Sequence, residues 1–120
     1  LATSCEALDF CVTAEGAASI GPIARVPYIT PGTRELALAC ARAIETGARA
    51  VLMRHHGAVC VGESLEEALA RMESLEHVAK IIAQMKASGE VMVLEEDEVR
   101  RLREKVGLEF GLPREVFDVE

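Results

Sequence analysis

Positive charge is scarce in this chain of 120 residues: 13 lysines and arginines stand against 20 aspartates and glutamates, for a net charge of −7. No basic cluster is interleaved with aromatics, so nucleic-acid phosphates and anionic membrane surfaces find no electrostatic footprint here. Long apolar runs are missing too. None approaches the roughly 18 residues of a membrane-spanning helix, and the first residues lack the charged-then-apolar pattern of a secretory leader. The expected compartment is therefore the cytoplasm. Cys5, Cys11, Cys40 and Cys60 show no C-x-x-C spacing and lie in apolar surroundings, which predicts buried, reduced thiols rather than disulfides. With half its residues hydrophobic, the chain has material for one compact domain and hardly for two.

What is present is organised around residues 50–62. Ala50-Val51-Leu52-Met53 and Ala58-Val59-Cys60-Val61 are apolar runs too short for stable helices and without polar alternation, so each reads as a strand buried on both faces. Between them stand Arg54, His55, His56 and Gly57. Gly57 can supply positive φ or a close backbone approach where the strand ends or bulges. Two imidazoles at the rim of a buried sheet have little packing reason to be there, and such rims mount metal ions or acid-base groups.

Helical periods flank this stretch. Thr33 is placed to cap a helix, Glu35 suits its positive end and Gly47 its stop, with Leu36, Ala39, Cys40, Ala43 and Ile44 on one buried face. Ser64 and Glu67 form an S-x-x-E capping box. It opens a long helix that ends at Gly89, and Leu65, Ala68, Leu69, Met72, Leu75, Ala79, Ile82 and Met85 recur along it. Glu73, Glu76 and His77 read as surface residues. Pro27 marks residues 26–29 as an edge strand, with residues 21–25 as a connection before it. A short helix over residues 13–19, after a short strand or turn, precedes both, and residues 91–94 read as a last short strand. The acidic run Glu95-Glu96-Asp97-Glu98 lacks the alternation and glycine of a calcium loop and reads as the start of a helix carrying Val99, Leu102 and Val106 on one face. In the tail, residues 108–120, Phe110, Leu112, Val116 and Phe117 stand amid charges. They read as the cover of a subunit seam or as partly disordered.

Three motifs in order carry a resemblance. They are Val26-Pro27-Tyr28-Ile29-Thr30-Pro31-Gly32-Thr33, then Arg54-His55-His56-Gly57-Ala58-Val59, then Ser64-Leu65-Glu66-Glu67-Ala68-Leu69 with Glu76-His77-Val78-Ala79. Together they resemble the class II sugar-phosphate aldolase and adducin-head family over about residues 20–107. The resemblance implies an α/β fold, a partial three-layer αβα domain with its sheet flanked by helices. Residues 1–120 would be the C-terminal portion of one such domain, because the chain opens on Leu1-Ala2-Thr3-Ser4-Cys5 and contains no His-x-His, the pair that supplies two of the family's three histidine ligands. The catalytic acid-base group and those two ligands are then expected upstream of Leu1.

The resemblance places His56, the histidine immediately before the glycine, as the third ligand of a divalent ion, Zn2+ by preference. It gives His55 no ligand bond; strand alternation would turn His55 to the opposite face. Tyr28, the only tyrosine, reads as packing, with a site role as its alternative. A family tyrosine before the Pro-Tyr pair has only Phe10 nearby, and a second has Val106 in its place. The implied function is a metal-dependent aldolase. It would cleave a ketose 1-phosphate, such as L-fuculose 1-phosphate, to dihydroxyacetone phosphate and an aldehyde, in a homotetramer whose partner is a small sugar phosphate. A pentulose-5-phosphate 4-epimerase, a methylthioribulose-1-phosphate dehydratase and a non-catalytic adducin-like module are the alternatives on the same fold.

Overall fold

Ala50, Val51, Leu52 and Met53 are all buried and form the central strand of a three-stranded sheet in the computed structural model, which describes residues 10–107. In chain order the elements are α1 (Ala14–Ser19), β1 (Ile23–Val26), α2 (Arg34–Glu45), β2 (Ala50–Met53), β3 (Gly57–Cys60), α3 (Leu65–Ser88) and α4 (Glu96–Lys105). β1 pairs with β2 in parallel, Ile23 opposite Ala50 and Val26 opposite Met53. β2 pairs with β3 antiparallel, Ala50 opposite Cys60 and Met53 opposite Gly57.

Strand alternation divides the core in two. Val51 and Met53, with Ala24 and Val26 of β1, pack against Leu36, Ala39 and Ala43 of α2. Ala50 and Leu52 turn the other way, onto Leu75, Val78 and Ile82 of α3 together with Phe10 and Ile20. The sheet is thus covered on both faces. This is the expected layered α/β arrangement, and it explains why β2 reads as an unbroken apolar run. Each larger side chain so buried contributes about 1.5–3 kcal/mol before ordering entropy is subtracted.

The helix ends follow local rules. The Thr33 hydroxyl accepts from the Leu36 amide at 3.4 Å. At the far end of α2, Gly47 has φ +111°, its amide donates to Ile44 O (3.0 Å), and the Ala48 amide donates to Ala43 O (3.1 Å). That double bond pattern is a Schellman closure, which needs a residue free to adopt positive φ. Ser64 caps Glu67 at 3.1 Å, while the Glu67 carboxylate accepts from the amide of Glu63 at 2.7 Å, one residue before the expected partner.

Several expectations are corrected. β1 lies at Ile23–Val26 rather than residues 26–29. Pro22 O already accepts from the amides of Arg49 and Ala50, so the pairing with β2 starts there, and Pro27 stands just past the strand. β3 is half-buried rather than buried on both faces. Residues 91–94 form no strand; the Leu94 amide donates to Cys11 O at 2.8 Å, and Met92 and Val93 stay exposed. The stripe along α3 is broken as well. Leu65 and Leu69 are 87% and 60% exposed, because at ~100° per residue they lie roughly a third of a turn from the line of Leu75, Val78 and Ile82 that meets the sheet. On α4 it is Val99 and Arg103 that are buried, with Val106 outside and the Arg103 Nε–H donating to Ala17 O at 2.8 Å. No helix among the described residues is long and apolar enough to cross a membrane. The expectations for Cys5 and for residues 108–120 fall outside the described residues.

Candidate functional site at the hairpin tip

The C-terminal ends of β1 and β2 point the same way, and the two segments that leave them meet there. In open α/β sheets this edge is where ligands bind, because helices cover the faces and only the strand ends remain accessible. From β2 the chain turns through Arg54, His55 and His56 into β3. Two backbone bonds fix the turn. The Arg54 amide donates to Val26 O at 3.1 Å, extending the parallel pairing past Met53, and the His56 amide donates to Met53 O at 3.1 Å, closing the hairpin.

His56 is exposed on this tip, and among the described residues no hydrogen bond or ion pair engages its imidazole. The residue with positive φ is His55, at +59°, and not Gly57. Gly57 lies in β3, and a Cβ there would meet nothing within 4 Å. The expectation of a special backbone at Gly57 is therefore corrected. Register explains the shift: Met53 opposite Gly57 makes Gly57 a paired strand residue and leaves the left-handed step to the tip. His55 accordingly belongs to the turn, and strand alternation does not govern its direction.

Tyr28 is not core packing. It is 55% exposed, beyond Pro27 at the end of β1, and its ring meets that of His55 edge-on, with centroids 6.1 Å apart and planes at 74°. Sequence reasoning treated the two residues separately, since they lie far apart in the chain and nothing local signals the contact.

At the opposite end of the sheet, a cleft of about 410 Å³ is lined by Gly21, Arg49, Glu63, Glu67 and Arg71, among others. Its charges are balanced. The buried Arg71 donates through Nε to Ile20 O (2.9 Å), through one terminal nitrogen to Val61 O, and through the other to the Glu67 carboxylate (3.1 Å). The amide of Glu63 and the Arg71 guanidinium hold the Glu67 carboxyl below the usual carboxylate range. Cys11, Cys40 and Cys60 are half-buried, and desolvation pushes the Cys40 and Cys60 thiols up. A shift in that direction disfavours the thiolate, which is the nucleophilic form.

A zinc centre takes three or more protein donors. Among the described residues no three His, Cys, Asp or Glu side chains come together to hold a metal ion. The described residues alone do not make such a centre.

A layered α/β domain with an imidazole-bearing hairpin at its strand ends defines the class, and comparison with known proteins gives the family. The chain belongs to the class II aldolase and adducin N-terminal domain family, whose model matches residues 1–83. It is 37% identical over 86 residues to a 5-deoxy-D-ribulose 1-phosphate aldolase of Bacillus thuringiensis, a match covering 71% of this chain and 40% of that protein. It is 41% identical over 63 residues to a 3-oxo-tetronate 4-phosphate decarboxylase of Escherichia coli, covering 52% of this chain and 29% of the relative. Among solved structures, an L-fuculose 1-phosphate aldolase superposes with a TM-score of 0.68 at 33% identity, covering 81% of this chain and 45% of that one. The chain thus spans less than half the length of these relatives, which are lyases by name.

Proposed function

We propose that this chain supplies the hairpin-tip portion of a metal-dependent carbon–carbon lyase site for a phosphorylated sugar, with His56 as the metal ligand. The observation that carries the reading is His56 itself: an exposed imidazole with no partner among the described residues, on a tip whose backbone is tied at two points, in a chain of this family. On this reading the other donors and the acid-base group lie outside the described residues. A bound divalent ion such as Zn2+ supplies Lewis acidity toward substrate oxygens. This chain's own part is to present the His56 imidazole from a tip whose backbone is tied at two points.

The finer reading is an aldolase that splits a ketose 1-phosphate, such as L-fuculose 1-phosphate, into dihydroxyacetone phosphate and an aldehyde. Two relatives named for 1-phosphates support it. A decarboxylase is the second reading, favoured by the Escherichia coli relative. The two reactions make one common demand. Each breaks the bond between the α-carbon of a ketone and its outer neighbour, and leaves the electron pair on the ketone oxygen as an enolate that needs preorganised positive charge. The same reading makes the assembly a cytoplasmic homotetramer, with exposed Leu65 and Leu69 of α3 as apolar surface available to a seam.

The test compares His56→Ala with His55→Ala in the complete protein, measuring bound zinc, aldehyde release from ketose 1-phosphates and carbon dioxide release from phosphorylated 3-oxo acids. Loss of one preorganised electrostatic contact costs about 3–4 kcal/mol, or roughly 100- to 1000-fold in rate. His56→Ala should lose at least that together with its zinc, and His55→Ala far less. Normal zinc content and activity in His56→Ala refute the assignment.

A further inference from the structure

We propose that Tyr28 and His55 form a positioning pair: the edge-on contact between their rings holds the hairpin tip in its left-handed step and so fixes the backbone from which His56 projects. The functional weight of this pair rests on the reading of His56 given above.

Three observations converge on it. First, His55 is the one non-glycine residue with positive φ among the described residues, in a region that L side chains seldom occupy. Glycine is the residue that adopts this conformation without steric cost, and Gly57 stands only two positions away, in ordinary strand geometry with open space around it. The tip therefore keeps a ring where a residue without a side chain would be easier to accommodate. Second, that ring has a partner. Tyr28 meets it at 6.1 Å and 74°, within the edge-to-face range favoured by the ring quadrupoles. Third, both rings are anchored from behind. Pro27 restricts the backbone that brings Tyr28 off β1, and the Arg54 amide bond to Val26 O joins the base of the tip to the end of that same strand. The ring contact closes what the backbone bond begins, and His56 follows immediately.

An edge-to-face pair of this kind biases a local equilibrium by about 2- to 12-fold. If the tip can leave its left-handed state, apparent affinity at His56 falls in proportion to the fraction that remains competent. Tyr28→Ala should therefore weaken zinc binding by the complete protein about 2- to 12-fold while leaving the thermal midpoint in place, since Tyr28 is not part of the core. Tyr28→Phe keeps the ring and should bind as the wild type does. The double variant Tyr28→Ala with His55→Ala should be no worse than His55→Ala alone, because the contact is already gone.

A second measurement does not depend on metal. Backbone order parameters of His55 and His56 should stand near ~0.85 in the wild type and in Tyr28→Phe, and fall toward ~0.6 in Tyr28→Ala. Unchanged order at both residues in Tyr28→Ala overturns the pairing, as does additive loss in the double variant. Retention of zinc by His56→Ala is a different failure: it removes the functional reading, while the order parameters still decide whether the rings hold the tip.

Discussion

Replacing Arg71 by methionine tests how the framework behind the site is held. Arg71 is 6% exposed, and its guanidinium joins the end of α1 at Ile20 O, the exit of β3 at Val61 O, and Glu67 on its own helix. Methionine keeps most of the stem and removes every donor. The three losses are unequal. Glu67 is half-exposed in the ion pair, so that bond counts for little. Val61 is half-buried and lines the cleft, where water can take over much of the hydrogen bonding. Ile20 O belongs to one of the most buried residues, and leaving a buried acceptor unsatisfied costs about 1–3 kcal/mol. Relief from burying a cation offsets part of the total. The expected net loss is about 2–3 kcal/mol, and at about 4–8 °C per kcal/mol the melting midpoint should fall by roughly 8–24 °C. Arg71→Lys, able to serve one carbonyl at a time, should lie between. Urea unfolding followed by circular dichroism at fixed protein concentration measures the difference. A loss within ~0.5 kcal/mol for Arg71→Met would show that the two carbonyls find other partners, and the keystone role would be wrong.

Other consequences are equally direct. Gly16→Ala should destabilise by about 1–3 kcal/mol, reversing the usual gain of alanine in a helix, because a Cβ there would meet Val78 Cγ2 at 2.7 Å and Phe10 O at 2.9 Å; a stabilised variant in thermal melts contradicts the packing. The Glu67 carboxyl is lowered when folded, so its contribution is fully present above the ordinary glutamate value of about 4.3 and is lost as pH falls through the lower folded value. Glu67→Gln should flatten the stability profile in that acidic window, and superimposable profiles for the two proteins would remove the linkage. Leu65→Glu with Leu69→Glu should leave the fold intact, since both side chains already face solvent, yet weaken self-association in sedimentation; unchanged association places the seam elsewhere.

The helices were legible in the sequence because their signals are local. Thr33, Ser64, Gly47 and Gly89 announce their caps within four residues of the bonds they make or permit. Strand edges were less legible, since a strand is decided by its partner. Ile23-Ala24-Arg25-Val26 shows little β pattern, and becomes β1 because Pro22 O receives the amides of Arg49 and Ala50 where β2 begins. Residues 91–94 show more pattern and form no ladder. The same reasoning separates what the site revealed from what it concealed. An imidazole at a strand end was visible from spacing, but the assignment of positive φ to His55 depends on the register of β2 with β3, and the Tyr28 contact on the register of β1 with β2. Arg71 was hidden for another reason. A cation on the buried line with Leu75, Val78 and Ile82 resembles a break in the stripe, and only the carbonyls it serves explain it.

The two ends of the sheet then bear on how far an unpaired imidazole argues for function. Where β2 begins and β3 ends, polar groups are satisfied within the protein: Arg71 serves two carbonyls, Pro22 O takes two amides, and the Val61 amide reaches Arg49 O at 2.9 Å. At the other end, the rings of His55, His56 and Tyr28 face solvent. Exposure alone means nothing, because water satisfies a surface imidazole without cost. What distinguishes the tip is the combination of a fixed backbone with an imidazole, that of His56, that has no partner among the described residues. Two main-chain bonds and one ring contact restrain three consecutive residues, one of them in a conformation that must be maintained against its own steric preference. A turn that served only to connect β2 with β3 could place glycine at that step and leave the imidazole free to move. Restraint of the backbone is the condition under which an incoming ligand meets an imidazole with only its side-chain torsions left to order, and His56 stands in that position on the tip.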